Sequence, residues 1–340
     1  MSNPVFRLRL PIASVRWLRL FVLFAAVWII GGLVSSVSFA QHPEITAADP
    51  NAHAAPHAEA HHGLSPDAPV LYHGIGGHPA TDSEPAKIGP FAATNSMLVT
   101  WIVAIVVIAF AQYATRRIKE IPDGAQNFWE WLVESLHDFL ESIIGHDLVK
   151  KTFWFFATIF IFILFTNWAG LIPGVGTIGW GIPNAQGGLE HISRPLFRGV
   201  NADLNMTLAM AVVFFVCWVY WALQANGPGG FILHIFGPKG DTTGALKVLM
   251  IGVFVLVGVL EVVSIMFRPV SLSFRLYGNV FAGENMLESM AQIVPGLSWL
   301  IPVPFYFMEL LVGLVQALVF MLLTAVFTLL ITQHDEKAHH

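Results

Sequence analysis

The sequence predicts an all-α polytopic membrane protein: about five transmembrane helices, one interfacial amphipathic helix, and long, tilted helices at the C-terminal end. Two observations predict it. The 340 residues are 55% hydrophobic and only 11% charged, where a soluble domain carries about 25% charged residues. Apolar runs of about 20 residues, the length needed to cross a ~30 Å hydrocarbon core, recur along the chain. A formal charge of −5 gives no footprint for nucleic acid. The single Cys217 excludes an intrachain disulfide framework and a cysteine metal cluster.

Residues 1–40 have the form of a secretory signal, with Arg7, Arg9, Arg16 and Arg19 before the apolar run Leu20–Val34. Ser38-Phe39-Ala40 resembles a small-x-small cleavage site, and an uncleaved signal anchor is the alternative. Either exports the next segment, 41–89, which is polar, rich in Pro, Ala and Gly, and holds seven histidines. That composition cannot bury a core and predicts disorder. The histidine spacing fits no defined metal site, and none is expected there.

The membrane domain is 90–340. A first span over 91–114 ends in Arg116, Arg117 and Lys119, which mark the cytoplasmic side. In 124–147, apolar Phe128, Trp131, Leu132, Ile143 and Ile144 alternate at helical spacing with Glu130, Glu134, Asp138 and Glu141. This predicts an amphipathic helix along the interface or against a partner, with His137 and His146 as interfacial polar residues. A span over 152–172 leads to an external loop, 173–200. A span over 203–224 returns, with Asp203 and Asn205 at its start, where short polar side chains cap helices. A cytoplasmic loop, 225–246, follows. The last two segments, 247–290 and 293–332, are longer than a perpendicular span requires, so they must tilt, kink or protrude. Pro269 and Pro302/Pro304 are the candidate kinks. The tail 333–340 is polar and internal.

The stretch Arg268–Glu288 carries the chemistry. An arginine in hydrocarbon costs about 2.5–3.5 kcal/mol or more, so ionisable groups at depth point to function. Glu261 and Arg275 are 14 positions apart, about four turns or roughly 21 Å on nearly one face. Asn279 is one turn beyond Arg275, and Glu284 and Glu288 lie further outward. Glu309 and Gln316 share a face of the last helix. A guanidinium does not relay protons, but it can bind or discharge a carboxylate on another chain. The glutamates can carry protons or line water that does. Carboxylate, fixed cation, carboxylate thus suggests two proton paths kept apart by a positive gate. The competing structural account is an internal Arg–Glu pair locking two helices. Arg268, beside Pro269, suits a headgroup or partner contact.

Four motifs in order give a resemblance. Pro269-Val270-Ser271-Leu272-Ser273-Phe274-Arg275-Leu276-Tyr277-Gly278-Asn279-Val280-Phe281-Ala282-Gly283-Glu284 is similar to the pattern PVSLxxRLxGNxxAGE. With it stand Val315-Gln316-Ala317-Leu318-Val319-Phe320-Met321-Leu322-Leu323-Thr324, Asn167 with Leu171-Ile172-Pro173, and Ala202-Asp203-Leu204-Asn205-Met206-Thr207-Leu208. Over about 91–340 the chain resembles subunit a of the bacterial F-type ATP synthase. The resemblance implies the stator half of a rotary proton motor, beside a ring of c subunits, with the b-subunit peripheral stalk near 124–147 and the catalytic head coupled indirectly. It implies neither a cofactor nor covalent chemistry in this chain; the N-terminal signal favours a bacterial inner membrane over a thylakoid-like one. Arg275 matches the essential arginine facing the ring carboxylate. Asn279, Glu284 and Gln316 match external half-channel positions, Glu309 falls where the family has His or Glu, and Glu261 matches the cytoplasmic access route. Asn167, Asp203, Asn205 and Glu288 are secondary candidates. Ser273-Phe274 replaces a smaller pair, and the His-rich extension is atypical.

Two other classes fit less well. A lone transporter or channel would show internal repeats with matched broken helices, and none is convincing here. A haem-bearing electron carrier needs axial histidines within spans, whereas His191 and His234 fall in predicted loops.

Overall fold

The computed structural model describes residues 70–72, 93–172, 174–175, 178–183, 189–236, 245–293, 297 and 299–332. The signal over 1–40, the tail 333–340 and most of 41–89 lie outside the described residues. Within 41–89, β1 (Val70–Tyr72) pairs antiparallel with β2 (Ala93–Thr94), so a short ladder stands where disorder was predicted.

Six helices follow: α1 (Asn95–Thr115), α2 (Gly124–Ile144), α3 (His146–Gly170), α4 (Leu204–Phe236), α5 (Ala245–Ile293) and α6 (Pro302–Thr332). All but α2 contain stretches long and apolar enough to cross a membrane, making this a multi-pass membrane protein. The Thr94 hydroxyl caps α1 by accepting the Met97 amide at 3.4 Å. Between α1 and α2, Gln126 closes the turn on Lys119, accepting from its amide at 3.1 Å and donating to its carbonyl at 3.2 Å. α2 buries Leu136, Leu140 and Ile144 and leaves its acidic face outward. It stops at Gly145, whose φ of 79° suits a residue without a Cβ. The helix predicted over 124–147 is thus cut short, and its last two residues begin α3.

α3 is the most covered span. Phe155, Phe156, Ile159 and Ile163 are fully buried in the common core with Phe214, Trp218, Leu276 and Phe320. Threonines enter these apolar helices cheaply because each hydroxyl bonds a carbonyl one turn back, as at Thr158, Thr166, Thr324 and Thr328. Donor side chains then join helix to helix in a setting that offers backbone no water. The Trp218 indole donates to the Phe327 carbonyl at 3.0 Å, and Asn226 to that of Ile331 at 3.0 Å. Trp168 donates to the Leu310 carbonyl at 3.2 Å.

The structure corrects three boundaries. The loop predicted over 225–246 is helical to Phe236: Gly227 (φ 69°, ψ 165°) breaks the geometry once, and Pro228 then sits at a helix start, where a missing N–H costs nothing. The last helix begins at Pro302 rather than at 293 for the same reason, so Pro302 starts a helix instead of kinking one. The external loop carries an antiparallel pair, β3 (Gly179–Pro183) with β4 (Leu189–Pro195), whose last carbonyl accepts from Asn95 at 3.0 Å. α5 runs 49 residues through the buried Pro269 without an assigned break.

Candidate functional site

α5 lies against α4 and α6, α6 also packs on α3 and α4, and α5 is the least covered of the spans. Its packed face carries Leu272, Ser273, Leu276 and Val280, and Ser273 meets the Thr207 hydroxyl of α4 at 3.0 Å. The opposite face is a long exposed apolar strip that includes Leu256, Leu260, Phe267 and Phe274. Arg275 stands on that exposed side, and no hydrogen bond or ion pair holds it among the described residues. The internal Arg–Glu lock is therefore not made by Arg275.

An Arg–Glu pair does form two turns away, but within α5 rather than between helices. The Arg268 guanidinium meets Glu261 at 3.3 Å. Its carbon lies 5.6 Å from the Trp218 ring centroid and 4.6 Å from that of Phe327, within the range of cation–π attraction. Arg268 is thus bound within the chain, where the sequence suggested a headgroup or partner contact. Seven residues separate it from Glu261, two turns of one helix, so the pair costs little order beyond the helix itself. Glu261 remains half-exposed.

Outward from Arg275 the polar groups converge between α5 and α6. Asn279 donates to the buried Gln316 at 2.8 Å. Glu284 presses its carboxylate into the surface where α3 ends and the Val200–Ala202 turn begins: a Cβ on Gly199 would collide with it, and one on Gly170 would stand 3.3 Å away. Its Oε1 is buried without a hydrogen-bond partner among the described residues. Its charged neighbours are Arg198 and Glu309. The Glu309 carboxylate occupies the space beside Gly283, where a Cβ would strike it. The glycines at 199 and 283 thus make room for two carboxylates. Glu288, one turn beyond Glu284, is half-buried, and none of the described hydrogen bonds or ion pairs involves it.

The secondary candidates belong to a framework behind that cluster. Asn167 donates to the Gly313 carbonyl at 3.0 Å and accepts from Asn201 at 2.7 Å, and Asn201 also donates to Thr166 at 2.9 Å. Asp203, 3% exposed, accepts from the Ser96 hydroxyl at 2.5 Å and from the Asn205 amide at 2.9 Å. It therefore caps α4 and ties it to α1. Burial pushes its pKa up, opposed by the bonds from Ser96 and Asn205 and by the Arg198 charge. Asn205 itself points outward.

Sequence reasoning missed Arg198 and Asn201. Arg198 is 3% exposed and donates to the Ala202 carbonyl at 3.3 Å, acting on both Asp203 and Glu284. A charge in a predicted external loop gives no warning of burial; its position five residues before a helix-capping aspartate was the only available signal.

The chain is thus a polytopic helical membrane protein in which Arg275, without a hydrogen bond or ion pair among the described residues, stands on the exposed face of α5, near the carboxylates of Glu284 and Glu309. Residues 97–328 match the family model described as ATP synthase A chain, and this chain belongs to that family. It is 30% identical over 256 residues to ATP synthase subunit a of Gloeobacter violaceus, covering 75% of this chain and 90% of that protein. To subunit a of Helicobacter hepaticus it is 29% identical over 228 residues, covering 67% and 85%. For Syntrophobacter fumaroxidans the figures are 28% over 258 residues, 76% and 92%.

Proposed function

We propose that this chain is the non-catalytic, proton-translocating stator subunit of a rotary ATP synthase, working against a ring of c subunits in a bacterial inner membrane. In this reading its N-terminal segment is external and its C-terminus cytoplasmic, and the b-subunit stalk docks near α2. The observation that carries the reading is Arg275: a guanidinium with no hydrogen bond or ion pair among the described residues, on the exposed face of a long apolar helix. Leaving a bare cation against lipid would cost several kcal/mol, so the site asks for an anion from outside the chain. A carboxylate on a neighbouring ring supplies it.

A proton then enters from outside past Glu309 and Glu284 and reaches the ring carboxylate beside Asn279 and Gln316. The neutralised carboxyl turns into lipid, where a bare carboxylate would be prohibitively costly. After nearly a full turn it releases its proton on the Glu261 side. Arg275 stabilises the ionised ring carboxylate and keeps the two paths from joining. One charge crossing 100 mV yields about 2.3 kcal/mol, so several protons are needed for each ATP. Asn167 and Asp203 tie helices together around the entry path rather than passing protons along it, and Asn205 contributes its backbone amide to Asp203.

The test is ATP-driven proton pumping in inverted vesicles carrying the whole complex, wild type against Arg275→Ala. Loss of pumping with the complex assembled, and a rise in passive leak, is the expected result. Normal coupled pumping would overturn the assignment and move attention to Arg268.

A further inference from the structure

We propose that Arg198 is a positioning residue of the proton entry path: from the turn before α4, its fixed positive charge sets how readily the Glu284 carboxylate gives up a proton. The inference rests on the reading of Glu284 as a relay group. Arg198 carries no mobile proton itself, because a guanidinium does not deprotonate. The turn that holds it is pinned from several sides. Val200–Ala202 packs on α1, α3, α4 and α5. Asn201, fully buried, donates to Thr166 and Asn167 of α3. Asp203 accepts from Ser96 of α1, and Asn95 holds the Pro195 carbonyl, three residues before Arg198, at 3.0 Å. Arg198, 3% exposed, closes the turn on itself by donating to the Ala202 carbonyl at 3.3 Å. A cation buried in so constrained a turn stays where the fold puts it.

Glu284 reaches this turn from α5. Its carboxylate lies over Gly199, the residue next to Arg198, so closely that a Cβ there would overlap Oε1 and stand 3.0 Å from Cδ. The same oxygen is buried and has no hydrogen-bond partner among the described residues. The charged groups facing Glu284 are Arg198 from the turn and Glu309 from α6. Asp203, at the start of α4, shares Arg198, and Glu288 lies one turn along α5. α1 and α3 bring amides and hydroxyls to this turn: Asn95, Ser96, Thr166 and Asn167. A relay carboxylate must release its proton as well as take it up. A second carboxylate nearby favours the protonated form, and a cation favours the ionised one. Arg198 thus offsets Glu309, so that the group in the niche at Gly199 can pass a proton inward.

The test is ATP synthesis by inverted vesicles carrying the whole complex, driven by a potassium diffusion potential across a series of luminal pH values, the lumen being the entry side. Arg198→Gln should move the luminal pH of half-maximal rate upward by about one unit, a tenfold tighter hold on the proton. Arg198→Lys keeps the charge and should keep the wild-type midpoint. Because Arg198→Gln alone strips the buried Asp203 of its cation, the change is repeated in an Asp203→Asn background, where the same upward shift is expected relative to Asp203→Asn alone. A rate lowered at every pH with the midpoint unmoved would mark Arg198 as structural and overturn the proposal, as would an equal shift in Arg198→Lys. Normal coupling in Arg275→Ala would instead sink the stator reading. Loss of coupling there, with an unmoved midpoint in the Arg198→Gln variants, would sink this inference alone.

Discussion

Two stretches of one helix treat the same side chain in opposite ways. Around Arg268, α5 is woven into the molecule: Glu261 supplies the counter-charge, and Trp218 of α4 and Phe327 of α6 bracket the guanidinium. Around Arg275, two turns further on, the helix buries Leu272 and Leu276 and turns the arginine outward, with no hydrogen bond or ion pair to it among the described residues. The first arginine is held by the fold, and the second is the one the proposed function assigns to a partner. The same contrast separates the carboxylates. Asp203 satisfies its oxygens within the fold through Ser96 and Asn205, whereas Glu284 keeps a buried oxygen without a hydrogen bond among the described residues, in a niche shaped by glycine. A buried polar atom without a partner costs about 1–3 kcal/mol. Its retention beside Glu309 suits a group that exchanges protons with water rather than one that braces helices.

The sharpest way to break the comparison is a matched pair of lysine substitutions. Arg275→Lys should drop ATP-driven pumping to background in assembled complexes, because an ammonium cannot reproduce the planar fork that a carboxylate meets. Arg268→Lys should keep pumping and lower thermal stability by about 1 kcal/mol through the weakened stacking on Trp218 and Phe327. Equal losses of pumping in the two would erase the distinction between a reserved and a built-in arginine.

A smaller effect is expected at the glycine beneath Glu284. Gly199→Val places carbon where the carboxylate now lies; overpacking of this kind costs about 1–3 kcal/mol, and displacing Glu284 should slow pumping severalfold. Pumping at the wild-type rate, with Glu284 shown to have moved, would remove that carboxylate from the path.

Asp203 tests the built-in side through pH. Burial raises its pKa in the fold, so the folded chain holds this proton more tightly than the unfolded chain. The sign follows: below about pH 4 both states are protonated, and as pH climbs above that toward the raised value, stability falls. Above it the cost of the buried charge is complete. Asp203→Asn should flatten this part of the stability profile in thermal unfolding of the solubilised complex between pH 4 and 7, with α1 still tied to α4 through Ser96. A profile unchanged from wild type would mean Asp203 is ionised without penalty.

The smallest effect belongs to Glu288→Gln. Its side chain meets no bonding partner among the described residues, so stability should stay within about 0.5 kcal/mol and vesicle pumping close to wild type. A large loss of pumping would extend the entry path one turn outward.

Much of the site was legible in the sequence because its residues are close on one helix. Arg275, Asn279 and Glu284 could be placed from spacing alone, and Gln316 joined Asn279 where the motif suggested. The pairing of Glu261 with Arg268 was not foreseen. At 14 positions Glu261 shares a face with Arg275, but at seven it shares nearly the same face with Arg268, and periodicity cannot choose between them. The aromatic rings of α4 and α6 make the choice. Arg198 and Asn201 were hidden because the loop containing them folds inward, which composition does not register.

By itself the sequence determined what depends on local hydropathy and spacing: five helices long and apolar enough to span, an amphipathic α2, a long α5, and the order of the polar groups along it. These follow from the cost of placing polar atoms in hydrocarbon, a property each segment carries alone. Only the tertiary structure decided which of those groups the fold consumes. Pairing of Asn201 with Asn167, of Arg268 with Trp218 and Phe327, and of the Glu284 carboxylate with the space at Gly199 joins residues far apart in the chain. Packing geometry brings them together, and packing geometry likewise leaves Arg275 uncovered.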